Sequence, residues 1–147
     1  MRSSLPLLGL CIATLTACTH PSPNFEVEFI STPSPSPVFS PAVRVGNLLF
    51  LSGQIGTDNA NKLVAGGLQA EARQALNNIK RVLEQNGSSL DRVVKCTVFL
   101  ADMREWQDFN DIYVTYFRVR KPARSAMGAT GLALGARVEI ECIGVTG

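Results

Sequence analysis

The stretch Val93-Val94-Lys95-Cys96-Thr97-Val98-Phe99-Leu100, followed at once by Ala101-Asp102-Met103-Arg104-Glu105-Trp106, joins two kinds of chain. Its first half is a β-branched, apolar run of strand length. Asp102 with Glu105 three places on is an N-cap signal of the capping-box kind, which predicts a helix. Trp106, Phe109, Tyr113 and Phe117 line that helix, and Lys121-Pro122 stops it, because proline lacks the N–H that a helix needs. Arg124 to Ala129 then reads as extended. Ala136 to Val145 alternates as a strand, with Ala136, Val138, Ile140 and Cys142 on one face and Arg137, Glu139 and Glu141 on the other.

Towards the N-terminus, Ala72, Leu76, Ile79 and Leu83 recur at helical spacing between Leu68 and Gln85, flanked by Ala75 and Val82, and Gly87 supplies a C-cap. Ala42 to Val45 and Leu48 to Ser52 are short apolar runs joined by Gly46-Asn47, the composition of a β-hairpin turn. The order is strand, strand, helix, strand, helix, strand, strand. That suits an α+β fold with two helices packed on one face of a mixed sheet. Residues 38–147 have the length of one domain, and no internal repeat divides them.

The first 37 residues read differently. An apolar stretch from Leu5 to Leu15 follows Met1-Arg2 and is too short to span a bilayer, which takes roughly 18 or more apolar residues. It reads as a secretory signal peptide over residues 1–17. Leu15-Thr16-Ala17-Cys18 resembles the bacterial lipobox, so Cys18 is expected to carry lipid and to begin the mature chain. Thr19 after that cysteine, by resemblance to Gram-negative lipoproteins, points to the outer membrane, with the domain facing the periplasm or exterior. Residues 18–37 carry prolines at 21, 23, 33, 35 and 37 among serines and read as an extended tether. Its one apolar patch, Phe25 to Ile30, alternates weakly enough to allow a short extra strand.

The chain holds 14 basic and 12 acidic side chains, and loss of Arg2 with the signal leaves 13 against 12. Such balance gives no electrostatic reason to bind nucleic acid. Cys96 and Cys142 lie inside apolar runs, which favours two buried thiols; a disulfide requires them to face each other on neighbouring strands. The single histidine, His20, lies in the tether, which excludes a histidine triad or a histidine metal site within the domain. Ser52-Gly53-Gln54 lacks the glycine that opens a nucleophile elbow, and no phosphate-cradling glycine loop is present. A site must then rest on arginine, carboxylates, amides and backbone, without cofactor or metal. Arg124 stands at the head of an extended segment after Pro122, where a guanidinium can grip a carboxylate through two parallel hydrogen bonds; otherwise it covers a sheet edge or pairs with an acid. Glu139, in an apolar strand, can position water or shuttle a proton; its common alternative is a solvated face or an ion pair with Arg137.

Six segments in order resemble one known family: Gly46-Asn47 with the run to Ser52-Gly53-Gln54-Ile55, Ala72 to Lys80, Val94 to Phe99, Phe109-Asn110-Asp111-Ile112-Tyr113, Pro122-Ala123-Arg124-Ser125, and Val138-Glu139-Ile140-Glu141. This is the Rid (reactive intermediate deaminase, YjgF-like) family, and the resemblance spans nearly all of residues 38–147. It implies a chorismate-mutase-like fold, a homotrimer, and clefts between subunits where enamines or imines derived from amino acids are hydrolysed to 2-oxo acids and ammonia without a cofactor. It implies that Arg124 binds the substrate carboxylate and Glu139 orients water. By the same resemblance Asn110 lines the cleft from a neighbouring subunit, and Ser52 and Gly53 form its wall. Two positions depart from the pattern: Phe39 stands where the deaminases usually carry tyrosine, and Ala126 where many carry cysteine. Losing a buried hydrogen-bond donor costs on the order of 1–3 kcal/mol, enough to slow such an enzyme. The alternative is a noncatalytic trimeric module that binds small carboxylates.

Overall fold

The computed structural model describes residues 25–31 and 38–147. The signal peptide, Cys18 and most of the tether lie outside the described residues. The tether's apolar patch forms β1 (Val27–Phe29), paired antiparallel with β2 (Ala42–Val45) through Val27 opposite Val45 and Phe29 opposite Val43. The hairpin follows as expected: β2 turns through Gly46, at φ 57°, into β3 (Leu48–Leu51). Only a residue tolerant of positive φ fits that turn.

A two-residue strand not foreseen from sequence, β4 (Gln54–Ile55), precedes α1 (Gly67–Gln85). Strand β5 (Val93–Leu100) leads to a single 3₁₀ turn and α2 (Trp106–Tyr116), then β6 (Ala123–Gly128) and β7 (Val138–Val145). The strands lie in the order β1-β2-β3-β7-β5-β6, with β4 pairing to β7 beyond β3. Only β5 and β6 run parallel, so the sheet is mixed, and β6 is an edge strand.

Each strand buries alternate side chains. Leu49 and Leu51, Cys96, Val98 and Leu100, and Val138, Ile140 and Cys142 face the helices, while Phe50, Thr97, Glu139 and Glu141 face the other way. Val93 would fall on the wrong face at strict alternation. The register shift between Val93 and Lys95 inserts a bulge at Val94 and returns both Val93 and Cys96 to the core. From the helix side, Ala72, Leu76, Ile79 and Leu83 of α1 and Phe109, Ile112 and Tyr113 of α2 close over them. Leu76 is fully buried, and truncating such a leucine to alanine costs roughly 2–5 kcal/mol.

Helix α1 ends in a Schellman motif: Ser88 N–H donates to Leu83 O at 2.9 Å and Gly87 N–H to Glu84 O at 3.3 Å, with Gly87 at φ 75°. The start of α2 differs from the expected capping box. Asp102 Oδ1 accepts from Arg104 N–H at 2.9 Å as an N-cap should, but Glu105 turns away to pair with Arg137 at 2.7 Å. The hydrogen bonds from the Arg104 side chain and backbone hold the Asp102 carboxyl at about 2. Nor does α2 run to Lys121-Pro122. It ends at Tyr116, where Phe117 leaves the helical region and buries its ring.

Cys96 and Cys142 are not two thiols. They form a disulfide, because β5 and β7 are antiparallel neighbours with these residues directly opposite, Cα atoms 4.1 Å apart and both side chains on the core face. Each cysteine's apolar surroundings were legible from the sequence, whereas their opposition depends on β7 crossing to lie beside β5.

Candidate active site

Arg124 sits on edge strand β6 in register with Cys96, and so points to the helix side of the sheet. There it meets the aromatic stripe of α2. Its guanidinium carbon lies 4.7 Å from the centre of the Tyr113 ring and 5.9 Å from those of Phe109 and Trp106. No acid pairs with it, and none of its N–H groups finds an acceptor among the described residues.

Beside it opens a cleft of about 290 Å³, bounded by Asn110, Tyr113, Val114, Pro122 and Arg124. Two buried polar atoms here lack partners among the described residues, Asn110 Oδ1 and the Tyr113 hydroxyl. Unpartnered buried groups are uncommon in folded chains and call for a cause. Burial also pushes the Tyr113 hydroxyl up to about 12, with the Arg124 charge working in the opposite direction. Ala126, two residues along β6, shares the Arg124 face and packs partly against the core.

Glu139 lies elsewhere. On β7 it is opposite Phe99 of β5 and Ile55 of β4, between the buried Val138 and Ile140, and therefore on the open face of the sheet. Its carboxylate rests against Gly53: a Cβ built there would overlap Glu139 Oε1 and come within 2.9 Å of Cδ. Glu139 makes no hydrogen bond or ion pair to another described residue, and Arg137 is taken by Glu105. Ser52 Oγ donates to Ser40 O at 2.6 Å, and Ser52 N–H to Pro41 O at 3.0 Å. Those bonds tie the segment carrying Phe39, itself 58% exposed, to the Ser52-Gly53 bend.

The residues singled out in the sequence thus fall into two groups. Arg124, Asn110 and Ala126 share the helix side at the β6 edge; Glu139, Gly53, Ser52 and Phe39 gather at the β3–β4 bend and the start of β7. One chain does not bring Arg124 and Glu139 together. The sequence shows Trp106, Phe109, Tyr113 and Phe117 lining α2, but not that three of them face Arg124. Their spacing was visible, but the parallel pairing of β5 with β6 that sets Arg124 over them was not. Among the described residues no three His, Cys, Asp or Glu side chains gather as metal ligands.

Comparison with known proteins gives a consistent kinship. The chain is 48% identical to yeast (Saccharomyces cerevisiae) Protein HMF1 over 113 residues, 77% of this chain and 88% of that protein. It is 46% identical to the mouse protein named 2-iminobutanoate/2-iminopropanoate deaminase over 110 residues, covering 74% of this chain and 82% of the mouse one. The crystal structure of yeast Mmf1 superposes with a TM-score of 0.78 at 38% identity, over 83% of this chain and all of that one. The sequence profile described as Endoribonuclease L-PSP matches residues 29–146, and on that match this protein belongs to the Endoribonuclease L-PSP family, the Rid (YjgF-like) family that its motifs resemble.

Proposed function

We propose that this chain hydrolyses enamine and imine intermediates derived from amino acids to 2-oxo acids and ammonia, in clefts shared between copies of itself. The carrying observation is the guanidinium of Arg124, which reaches a cleft with no acceptor among the described residues on any of its N–H groups. Such a group is a receptor for a small carboxylate, gripped by two parallel hydrogen bonds. The mouse relative's name supplies the reaction class.

In this reading Arg124 fixes the substrate carboxylate and so places the adjacent C=N carbon. Glu139 accepts a hydrogen bond from a water and holds it within attack distance. Water adds to that carbon, the nitrogen takes up a proton, the C–N bond breaks, and ammonia leaves a 2-oxo acid. Imines are already electrophilic, so positioning is the main demand, and effective molarity of that kind contributes several kcal/mol to lowering a barrier. Because Arg124 and Glu139 stand on opposite faces of one sheet, a single substrate meets both only where two chains adjoin. Asn110 lies beside Arg124, so whichever chain supplies one supplies the other. The uncovered sheet face supports association: Phe29, Val43, Phe50 and Ile143 lie in one row across β1, β2, β3 and β7. A homotrimer with three shared clefts fits this arrangement and a closed symmetry.

The same reading places the domain outside the cytoplasm, tethered through lipid on Cys18 to a bacterial membrane. The lipobox-like Leu15-Thr16-Ala17-Cys18 supports it. So does the Cys96–Cys142 disulfide, since such bonds persist in oxidising compartments. Among the described residues no helix is long and apolar enough to cross a membrane. The near balance of charge favours a small carboxylate over RNA as ligand. A second reading, a noncatalytic binder of small carboxylates, is favoured by one feature, Phe39, which brings no hydroxyl to the Ser52-Gly53 wall.

The test is ammonia release from imines generated in situ by an amino-acid oxidase. Purified domain accelerates release and Arg124→Ala abolishes the acceleration; equal rates with and without Arg124 defeat the proposal. Saturable binding of 2-oxo acids with no turnover transfers the assignment to the binding module.

A further inference from the structure

Arginine is a flexible side chain, and one used to bind a ligand is normally fixed by an acid or a carbonyl that occupies some of its donors. Arg124 has neither. It is instead surrounded by Trp106, Phe109 and Tyr113, at positions i, i+3 and i+7 of α2 and hence on one helical stripe. The face of an aromatic ring carries partial negative charge and attracts a cation within about 6 Å of its centre. All three rings meet that distance. Phe109 is fully buried and Tyr113 nearly so, 5% exposed, which anchors two of the rings in the core and weakens solvent screening of the attraction. Tyr113 is further locked between its neighbours, its ring centre 5.6 Å from that of Phe109 and 4.6 Å from that of Phe117.

We infer that Trp106, Phe109 and Tyr113 form a cradle that positions Arg124 for carboxylate binding while leaving every guanidinium N–H free for the ligand. The inference rests on the reading of Arg124 as the carboxylate receptor and adds what holds it in place. A ring face restrains the cation through its charge and plane without accepting an N–H in the guanidinium plane, and it does not neutralise the charge that attracts the anion. An acid in the same place would do both. The three rings are positioning residues, since they act on the ligand through Arg124, and the ordering they impose in the free protein is ordering the ligand no longer has to impose on binding.

Calorimetric titration of the purified domain with 2-oxobutanoate tests this. Removing one ring while keeping apolar bulk, in Trp106→Leu or Tyr113→Leu, weakens binding by about five- to tenfold, the range for a partly desolvated cation over a ring. Trp106→Phe keeps a ring at that position and loses less affinity than Trp106→Leu, and in an Arg124→Ala background Trp106→Leu has no additional effect. Unchanged affinity in the leucine variants overturns the cradle, as does equal weakening by Trp106→Phe and Trp106→Leu, which would assign the effect to lost packing and not to the ring face. Trp106, partly exposed at the start of α2, decides the matter if Tyr113→Leu does not fold. Full affinity in Arg124→Ala alone overturns the carboxylate reading beneath the inference, whereas loss there with no loss in the ring variants overturns only the cradle.

Discussion

Replacing Gly53 by alanine adds one methyl group where Glu139 rests. Gly53 has no positive φ, so alanine meets no backbone objection, and the added carbon's conflict is with one side chain. It would overlap Oε1 and lie 2.9 Å from Cδ and 3.2 Å from Cγ of Glu139. Carbon contacts sit ordinarily at about 3.5–4.0 Å, so the carboxylate must move by on the order of 1 Å or more. Glu139 is only half-buried and can swing towards solvent, at a rotamer cost of about 0.5–1.5 kcal/mol. The predicted result is an uncoupling: thermal unfolding shifts by no more than a few degrees, while ammonia release falls about 10²-fold, the scale of a 1 Å misplacement of a reacting group. Binding of 2-oxobutanoate falls far less than turnover, because Arg124 is untouched. Wild-type turnover in a folded Gly53→Ala protein refutes the role given to Glu139, and a loss that only tracks unfolding refutes the geometry.

Other consequences concern stability. The disulfide closes a loop with a sequence separation of 46; chain entropy then puts the destabilisation of a Cys96→Ala/Cys142→Ala chain at up to about 4 kcal/mol, read as a lower denaturant midpoint at fixed protein concentration. The domain should also yield no free thiol from this pair until reductant is added. Glu71, 6% exposed, accepts the Arg137 backbone N–H at 2.7 Å in a part-buried bond, so Glu71→Leu leaves that donor without its acceptor and costs about 1–3 kcal/mol by chemical denaturation. Tyr113 has its hydroxyl raised from 10.0 to about 12 by burial. The unfolded chain therefore releases this proton first as pH rises, so the stability that Tyr113 confers is whole below pH 10 and is lost between about pH 10 and 12, a loss that Tyr113→Phe removes from an alkaline unfolding curve.

Local pattern carried most of the fold. The β2–β3 hairpin, α1, β5 and the alternation of β7 each follow from turn chemistry or periodicity within a few residues. What escaped was set by partners distant in the chain. β4 is two residues long and exists because β7 offers an edge beside it; Cys96 faces Cys142 because β7 crosses between β3 and β5. Glu105 reads as a capping-box residue until Arg137, 32 residues on in the chain and beside the start of β7, claims it. The candidate site divides in the same way. Arg124 stood out at the head of the extended segment after Pro122, but spacing alone left open whether it grips a ligand, covers a sheet edge or pairs with an acid, and only the resemblance named its role. That its companions are Asn110 and three rings of α2, with Glu139 on the opposite face of the sheet, required strand order. The partner of each half-site is, in this account, a second copy of the chain, which no single sequence displays.

That sharing can be measured directly. Arg124→Ala and Glu139→Gln chains are each prepared alone, then unfolded together in equal amounts and refolded, with hybrid assembly verified by mass. If each site takes Arg124 from one chain and Glu139 from its neighbour, the separate variants are inactive and the mixture recovers about one quarter of wild-type ammonia release, since one junction in four pairs two intact residues in a randomly mixed closed ring. No recovery in verified hybrids contradicts the account, because it would mean that Arg124 and Glu139 must lie in the same chain or do not act on the same substrate.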